Sequence, residues 1–285
     1  MEKYYIIYNP HAKEGQAKLV AECLYAVNHL GDAEILDITK IYDYRIFFDS
    51  LEENDGIVLC GGDGTLNRFI NDTQNLVIKS KIFYFPAGTG NDFYRDVAGD
   101  KNENIVEITQ YLKNLPTVEV KGKKYKFLNG VGYGIDGYCC QIGDKFRKEN
   151  KKKINYTSIA VKGLLFHYKP TNAKVIVDGK KYYFEKVWLT PTMHGSYYGG
   201  GMIPTPNQKR DSKKLSIMIF YGSGKFRTLT IFPSIFKGKH INYKKHVEIL
   251  TGKEIKVIYD EPRPLQIDGE TIIDVLEYNA LIDGN

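Results

Sequence analysis

The sequence predicts a parallel α/β domain followed by a mainly antiparallel β domain. Up to about residue 95, short apolar strands alternate with segments whose apolar residues have helical spacing, the pattern of a parallel sheet with helical crossovers. Glycine-rich turns follow two of these strands. Beyond about residue 120 the chain changes to β-rich runs separated by turns, and Asp178-Gly179 between two of these runs is a strong hairpin signal.

The composition is that of a folded protein, with 42% hydrophobic and 26% charged residues among 285. The net charge of +6 suits an anionic partner such as a nucleotide or an anionic lipid, without choosing between them. Four cysteines without a CxxC pair predict reduced thiols in the cytoplasm. The first residues have no signal-peptide pattern and no apolar run could span a bilayer, so we expect any membrane contact to be peripheral.

Four strands are predicted in the first domain. Tyr4–Tyr8 is rich in aromatic and β-branched residues, and Glu34–Ile38, Gly56–Leu59 and Lys81–Phe85 follow it. Helical spacing of apolar residues over 19–27, and an aromatic segment near residue 47, predict helices between the first three strands. Ligands of such sheets bind beyond the carboxyl ends of the strands.

The turn after the third strand carries the strongest chemical signal. Its three glycines let the backbone turn tightly and approach a ligand, and its amides, with those of the next helix, form an anion site. Asp63 and Thr65 add a carboxylate and a hydroxyl that suit a metal-bound phosphate. A plain strand-to-helix turn is the alternative. The turn comprises Gly61, Gly62, Asp63, Gly64, Thr65, Leu66 and Asn67.

A second glycine-rich turn, Gly88–Phe93, follows the fourth strand. Thr89 and Asp92 bring a second hydroxyl and a second carboxylate to the same edge of the sheet. Asn91 and Asp92 also suit the cap of a helix that begins near the end of this turn. The edge additionally receives Asn9, Pro10 and Thr39, which follow the first two strands.

The Asn9-Pro10 pair and the two turns together resemble the motif series of the diacylglycerol kinase catalytic-domain family, which includes bacterial lipid kinases and sphingosine and ceramide kinases. The first turn is shared with NAD kinases and phosphofructokinases, whereas Gly88–Phe93 narrows the resemblance to lipid kinases. It implies a Rossmann-like nucleotide-binding domain at 1–120 and an antiparallel β-sandwich domain for the lipid at 121–271. The segment 272–285 would pack back on the first domain.

A helical insert at about 138–168 interrupts the predicted β domain. It is basic first and apolar afterwards, so it could rest on anionic lipid or form a solvated helix face. No motif of a nucleic-acid reader accompanies this charge, and we expect no nucleic-acid partner. The basic residues are Lys145, Arg147, Lys148, Lys151, Lys152 and Lys153.

The resemblance extends to Gly199–Met202 and to the loop that follows this segment. In the family, an aspartate-containing loop at this place resembles a structural magnesium site. Asp211 is the matching carboxylate, and backbone oxygens near Gln208 and Lys213 would complete the site. This chain has Ser212 after the aspartate where the family usually has glycine. The departure leaves open whether the loop still binds a metal.

The resemblance implies an enzyme that uses ATP and Mg²⁺ to phosphorylate a lipid hydroxyl, with diacylglycerol as the first candidate. Asp63 and Asp92 would organise magnesium, and Glu270 of the Asp268-Gly269-Glu270 segment would be the general base. From the residue pattern alone, Glu270 is predicted only to be exposed at the end of a hairpin turn. The implied nucleotide contacts are Asn9, Pro10, Thr39, Gly61, Gly62, Asp63, Gly64, Thr65, Leu66, Asn67, Thr89 and Asn91.

Three other functions are compatible with parts of this pattern. A kinase of a soluble substrate, similar to NAD kinases, would share the first turn but not the later motifs. A non-catalytic nucleotide-binding module would bind ATP without transferring phosphate, and a basic peripheral protein would bind without any effect of nucleotide. The lipid substrate and the oligomeric state stay open, with a homodimer as one candidate.

Overall fold

A computed structural model of the protein describes residues 3–12, 16–28, 32–99, 104–149 and 156–283. The chain forms two compact units, Met1–Lys113 and Asn114–Asn285. The boundary lies before the predicted one at residue 120. The reason is that strand Thr117–Val120 pairs with strands of the second unit.

The first unit contains a five-stranded sheet in the order β2-β1-β3-β4-β5. The first four strands are mutually parallel and β5 is antiparallel to β4, which confirms the predicted α/β domain. The central strand is buried at all six positions, as expected for a strand covered on both faces. The strands are β1 (Lys3–Tyr8), β2 (Asp32–Asp37), β3 (Gly56–Gly61), β4 (Lys81–Pro86) and β5 (Val106–Glu107).

Helices connect these strands. Apolar residues at helical spacing bury one face of the helix that follows β3, where Leu66, Phe69 and Ile70 are buried. A short 3₁₀ turn at Ile38–Lys40 follows β2. The helices are α1 (Ala17–Asn28), α2 (Tyr44–Asp49), α3 (Asp63–Asp72) and α4 (Asp92–Ala98).

Parallel pairing sets the position of the candidate site. The register aligns Tyr8 with Asp37 and with Cys60, and Gly61 with Pro86, so the first four strands end at one edge of the sheet. The residues that follow these ends therefore converge there, as the sequence predicts.

The second unit is built on a ten-stranded sheet, and among the described residues its paired strands are antiparallel, which confirms the predicted β-sandwich class. The predicted hairpin at Asp178-Gly179 forms, with both residues at positive φ. The strands are β6 (Thr117–Val120), β7 (Lys123–Lys126), β8 (Gly130–Tyr133), β9 (Thr171–Val177), β10 (Lys180–Val187), β11 (Thr192–Met193), β12 (Leu215–Phe220), β13 (Val247–Gly252), β14 (Glu254–Ile267) and β15 (Glu270–Leu281).

The predicted helical insert contains α5 (Ile135–Lys148), α6 (Tyr156–Lys162) and a π-helical turn at Gly163–His167. It begins three residues before its predicted start, and Lys151, Lys152 and Lys153 lie outside the described residues. A seventh helix, α7 (Lys225–Ile231), and two 3₁₀ turns precede β13. Within the ranges described above, no helix has the length and apolar character needed to cross a bilayer.

The final strand differs from its predicted place. Strand β15 pairs with β14 along most of its length and with β6 near its end, so it belongs to the sheet of the second unit. Val275, Tyr278 and Ala280 are buried in the core of that unit. Burial of these three side chains explains why β15 pairs within the second unit. The resemblance implied instead that the segment 272–285 packs on the first domain.

Candidate functional site

The two glycine-rich turns of the first unit touch through their backbones. A Cβ atom added to Gly88 would lie 2.5 Å from Cα of Gly62, so neither turn has room for a side chain at this contact. The carbonyl of Gly61 accepts a hydrogen bond from the amide of Ala87 (2.8 Å) and another from the hydroxyl of Tyr84 (2.9 Å). These bonds fix the end of β3 against the end of β4.

The carboxylate of Asp63 joins the first turn to the second. Its Oδ2 accepts a hydrogen bond from the amide of Asp92 (3.0 Å) and its Oδ1 accepts one from the amide of Phe93 (2.9 Å). These are the first two amides of α4, whose free N–H groups and positive dipole end favour a carboxylate. Sequence reasoning assigned Asp63 a ligand role; the structure also gives it the role of capping a helix 29 residues away.

Two asparagines stabilise the turns by side-chain hydrogen bonds. Nδ2 of Asn9 donates to Oγ1 of Thr65 (3.0 Å), which connects the end of β1 to the start of α3. The side chain of Asn91 closes its own turn, because it accepts from the amide of Gly88 and donates to the carbonyl of the same residue, both at 2.9 Å. The first pair joins two predicted site residues, and the second joins Asn91 to the glycine that begins its own turn.

The amino end of α3 is open to an anion. Its N-cap residue is Gly62, which has no side chain to satisfy the first amides of the helix. Burial raises the pKa of Tyr84 well above its ordinary value, and the carboxylates of Asp63 and Asp92 raise it further, so both acids lie near this one hydroxyl. These groups fit a magnesium-bound triphosphate.

The remaining predicted site residues of the first unit differ in their burial and in their hydrogen bonds. Thr39 follows β2, and its hydroxyl donates to Oδ1 of Asp37 (2.7 Å). Leu66 is fully buried in the core, so packing explains it, whereas Thr89 is exposed. Asn67 is buried and accepts a hydrogen bond from the side chain of Asn71. Pro10 lies in the turn after Asn9, and Gly64 lies in the first turn of α3.

In the second unit, Glu270 is exposed and begins β15, directly after a tight turn. Asp268 and Gly269 both have positive φ, and Ile267 pairs with Glu270 across the turn. The carboxylate of Asp268 accepts three backbone hydrogen bonds, from the amides of Leu128 (2.6 Å), Asn129 (2.8 Å) and Gly130 (2.9 Å). This buried anchor fixes the position at which Glu270 leaves the sheet.

A buried polar cluster next to this turn was not predicted. Asp136, at the start of α5, accepts hydrogen bonds from the amide of Gly137 (2.9 Å) and the hydroxyl of Tyr198 (3.2 Å). Burial raises the pKa of Asp136 to about 6. Burial also raises the pKa of Cys140 to about 12, and the carboxylates of Asp136 and Glu270 both contribute, so these two acids lie near the same thiol.

The glycine spacing of β8 belongs to the same cluster. A Cβ atom on Gly132 would lie 2.0 Å from Oδ2 of Asp136 and 2.4 Å from Nε2 of Gln266, so only glycine fits between them. Oε1 of Gln266 accepts from the amide of Gly269 (2.6 Å), which connects the cluster to the turn before Glu270. Alternating glycines at 130 and 132 were the available sequence signal, since glycine inside a strand indicates a close approach.

Comparison with known families accounts for nearly all of the chain. The family model described as "YegS C-terminal NAD kinase beta sandwich-like domain" matches residues 129–277, just over half of the chain. The model described as "Diacylglycerol kinase catalytic domain" matches residues 3–121. The chain belongs to the diacylglycerol kinase catalytic-domain family. This confirms the resemblance and, at the level of the family, the predicted phosphotransferase.

Individual relatives agree with this assignment. A protein of Staphylococcus aureus (strain JH9) named "Putative lipid kinase SaurJH9_0749" is 28% identical over 223 residues, which cover 76% of this chain and 70% of that protein. A Bacillus anthracis (strain Sterne) structure described as a "putative diacylglycerol kinase" has 24% identity and a TM-score of 0.67, covering 99% of this chain and 93% of its own. A second from the same organism, described as a diacylglycerol kinase, has 22% identity and a TM-score of 0.61, covering 99% and 94%. At such identities the two structures establish the shared fold.

The loop that the family resemblance associates with magnesium is closed by side-chain donors. Nε2 of the buried Gln208 lies among four oxygens, which share its two N–H donors: the carbonyls of His194 (3.1 Å), Lys209 (2.9 Å) and Lys214 (2.9 Å) and Oγ of Ser212 (3.4 Å). An amide nitrogen is a donor, so it takes the place among these oxygens that a cation would take.

The rest of this loop is exposed at two predicted ligands and attached to the segment before β8 by an arginine. Asp211 and Lys213 are exposed. The guanidinium of Arg210 donates to the carbonyl of Leu128 (2.6 Å) and to Oδ1 of Asn129 (2.7 Å), which attaches the loop to the segment that binds Asp268. Across the described parts of the chain, no group of three or more acidic, histidine or cysteine side chains could hold a metal ion. Magnesium at Asp211, Gln208 and Lys213 stays a prediction that these contacts do not favour.

We therefore expect this loop to be stable without a divalent cation. Treatment of the purified protein with EDTA should leave its melting temperature unchanged, because Gln208 already satisfies the loop carbonyls. Gln208→Ala and the isosteric Gln208→Glu should each lower the free energy of unfolding by about 1–3 kcal/mol, since buried carbonyls lose their donor. Asp211→Asn, on the exposed side of the loop, serves as the control and should change little. A melting temperature that falls on chelation and depends on Asp211 would contradict this expectation.

The raised pKa of Asp136 gives a second expectation, for stability against pH. The folded state holds this proton up to about pH 6, whereas an unfolded aspartate loses it near its ordinary pKa of 3.8. Stability is therefore lost as pH rises from about 4 to about 6, and Asp136→Asn should remove that loss. We expect the variant to gain about 3 kcal/mol relative to the wild type between pH 4 and pH 8, measured by urea unfolding. Asp211→Asn should follow the wild-type pH profile; an Asp136→Asn profile parallel to wild type would exclude a shifted pKa.

Proposed function

We propose that this protein transfers the γ-phosphate of ATP to the hydroxyl of a lipid, with diacylglycerol as the first candidate substrate and phosphatidic acid as its product. The observation that carries the proposal is the contact of Asp63 with the first amides of α4. It places two carboxylates, Asp63 and Asp92, at one sheet edge next to the uncapped amino end of α3. A metal-bound triphosphate needs this combination of donors and acids.

The roles of the first unit follow from its geometry. The amides of Gly61–Gly64 and of the first turn of α3 would hold the phosphates, because no N-cap side chain competes for them. The close contact of Gly62 with Gly88 would let a phosphate approach both backbones. Asn9, through Thr65, would hold the start of α3 in place. Thr39, Thr89, Asn67 and Pro10 are proposed as outer contacts of the nucleotide.

Magnesium would be held by Asp63 and Asp92, directly or through water, and when bound it would neutralise the charge of the phosphates. The contribution of the chain itself is positioning, which supplies much of the acceleration in phosphoryl transfer. The carboxylate of Asp63 is already oriented by its two amide donors, so little reorganisation is needed on binding. No covalent nucleophile is required for this chemistry.

Glu270 is proposed as the general base that accepts the proton of the attacking lipid hydroxyl. It is exposed, as a base that must reach a substrate requires, and the turn before it is fixed by the buried Asp268 and Gln266. A rigid support keeps a catalytic side chain within the small range of positions that proton transfer tolerates. We further propose that the protein reaches its lipid by peripheral contact with a membrane.

The test is phosphate transfer from radiolabelled ATP to a lipid extract, with the labelled product identified by mass spectrometry. We expect a single labelled lipid class, and we expect Glu270→Gln to reduce kcat at least about a hundredfold while its melting temperature and ATP affinity stay at wild-type values. Glu185→Gln, an exposed glutamate on β10, is the matched control and should keep full activity.

Two results would overturn the proposal. One is labelling of NAD and of no lipid in a parallel assay, which would assign a soluble substrate. The other is ATP binding with no phosphate transfer to any lipid, which would make the chain a nucleotide-binding module. Wild-type turnover in Glu270→Gln would leave the kinase assignment in place and remove Glu270 from its role.

A further inference from the structure

Two phenylalanines of the second unit are exposed to an extent that folding does not explain. Phe166, in the π-helical turn after α6, is 73% exposed, and Phe226, in the first turn of α7, is 82% exposed. Single apolar residues on a surface are common. These two are neighbours, because the ammonium of Lys225 donates to the carbonyl of Leu165 (2.6 Å). Two aromatic side chains therefore project from adjacent points of one surface.

The elements that carry these residues are packed on one core. Ile159 of α6, Leu164 of the π-helical turn and Ile231 of α7 are buried in the same cluster. Ile235, in the 3₁₀ turn Phe232–Lys237 that follows α7, belongs to it as well. The inner faces of these elements are thus occupied by the protein, and Phe166 and Phe226 lie outside that core. We name the outer face of α6, the π-helical turn, α7 and this 3₁₀ turn the aromatic–basic surface.

The charge of this surface has one sign. Its elements contain no Asp or Glu, and no acidic residue occurs in the sequence from 150 to 177 or from 212 to 247. Lys162, Lys225, Arg227 and Lys237 are all exposed on it. A second copy of the chain would bring the same positive charge against this face, so a symmetric dimer through it is disfavoured.

We propose that the aromatic–basic surface docks on an anionic lipid bilayer, with Phe166 and Phe226 inserted at the interface and the basic side chains near the lipid headgroups. Aromatic side chains favour the boundary between headgroups and acyl chains, and lysine and arginine side chains are attracted to the negative surface of an anionic membrane. The choice of a bilayer over another anionic partner rests on the proposed lipid substrate. The binding itself requires neither ATP nor catalysis.

The surface differs from the one suggested by the sequence. The sequence suggests lipid contact at the basic run Lys145–Lys153 of the helical insert. The two projecting aromatics instead lie on α7 and on the turn after α6. These positions are 60 residues apart in the chain. Only the packing of α7 against the turn brings them together.

The experiment is flotation of the full chain with vesicles, in the absence of ATP and of any lipid substrate. Vesicles of phosphatidylcholine alone are compared with vesicles containing about one third phosphatidylglycerol. We expect binding only to the anionic vesicles. Phe166→Ser combined with Phe226→Ser should weaken it at least about tenfold, and Lys162→Gln combined with Lys237→Gln about tenfold, the latter loss shrinking in high salt.

Matched controls lie on β10, in the same unit. Tyr183 is 73% exposed, so Tyr183→Ser removes an aromatic of equal exposure, and Lys180→Gln with Lys181→Gln removes two exposed charges. Both controls should bind vesicles as the wild type does. Unchanged melting temperatures for all variants would show that the losses come from the surface and not from unfolding.

Several results would overturn the docking surface. These are absence of vesicle binding by the wild type, equal binding by the phenylalanine variant, or equal losses in the β10 controls. Loss of affinity for a DNA duplex without loss of vesicle binding would assign a nucleic acid instead, and loss of a concentration-dependent dimer would assign a second copy. If the vesicles bind as expected but no lipid is phosphorylated, the surface stands and the proposed kinase reaction fails.

Discussion

A carboxylate that accepts backbone amides from a distant segment is the constraint on which both candidate sites depend. Asp63 holds the first amides of α4, and the contact of Gly62 with Gly88 and the bonds to Gly61 also join the two glycine-rich turns. Asp268 does the same with three amides near the start of β8. Charge-assisted hydrogen bonds of this kind are short and strong when partly buried, so each loop has one defined geometry.

The same physics explains why residues of one motif have unequal roles. In the first turn, Leu66 packs in the core and Thr65 accepts from Asn9, while the amides after Gly62 have no capping side chain. In the last motif, Asp268 is buried and holds the turn, so that Glu270 is exposed at its end. A structural acid beside the proposed general base would favour catalysis, because the buried acid removes freedom that the exposed one would lose on binding substrate.

Side chains of the second unit form hydrogen bonds to several of its buried polar groups. Gln208 closes the 205–214 loop through carbonyl oxygens, and Arg210 connects that loop to Leu128 and Asn129, next to the amides bound by Asp268. Asp136 shares its site with Tyr198 and lies across Gly132 from Gln266. The loop, the start of β8 and the turn before Glu270 therefore form one connected polar network, in which a change at one member reaches the others.

The sequence by itself determined the alternation of strands and helices, the sheet edge at which the proposed nucleotide contacts gather, and the hairpin turns at Asp178-Gly179 and Asp268-Gly269. These depend on local periodicity, strand order and the φ preference of glycine, which short segments carry. Only the tertiary structure decided that Asp63 caps α4, that Gln208 fills its oxygen cage, that β15 joins the second sheet, and that Phe166 lies beside Phe226. Each of those depends on contacts between segments far apart in the chain, where burial and hydrogen-bond satisfaction select the partner and no local pattern records it.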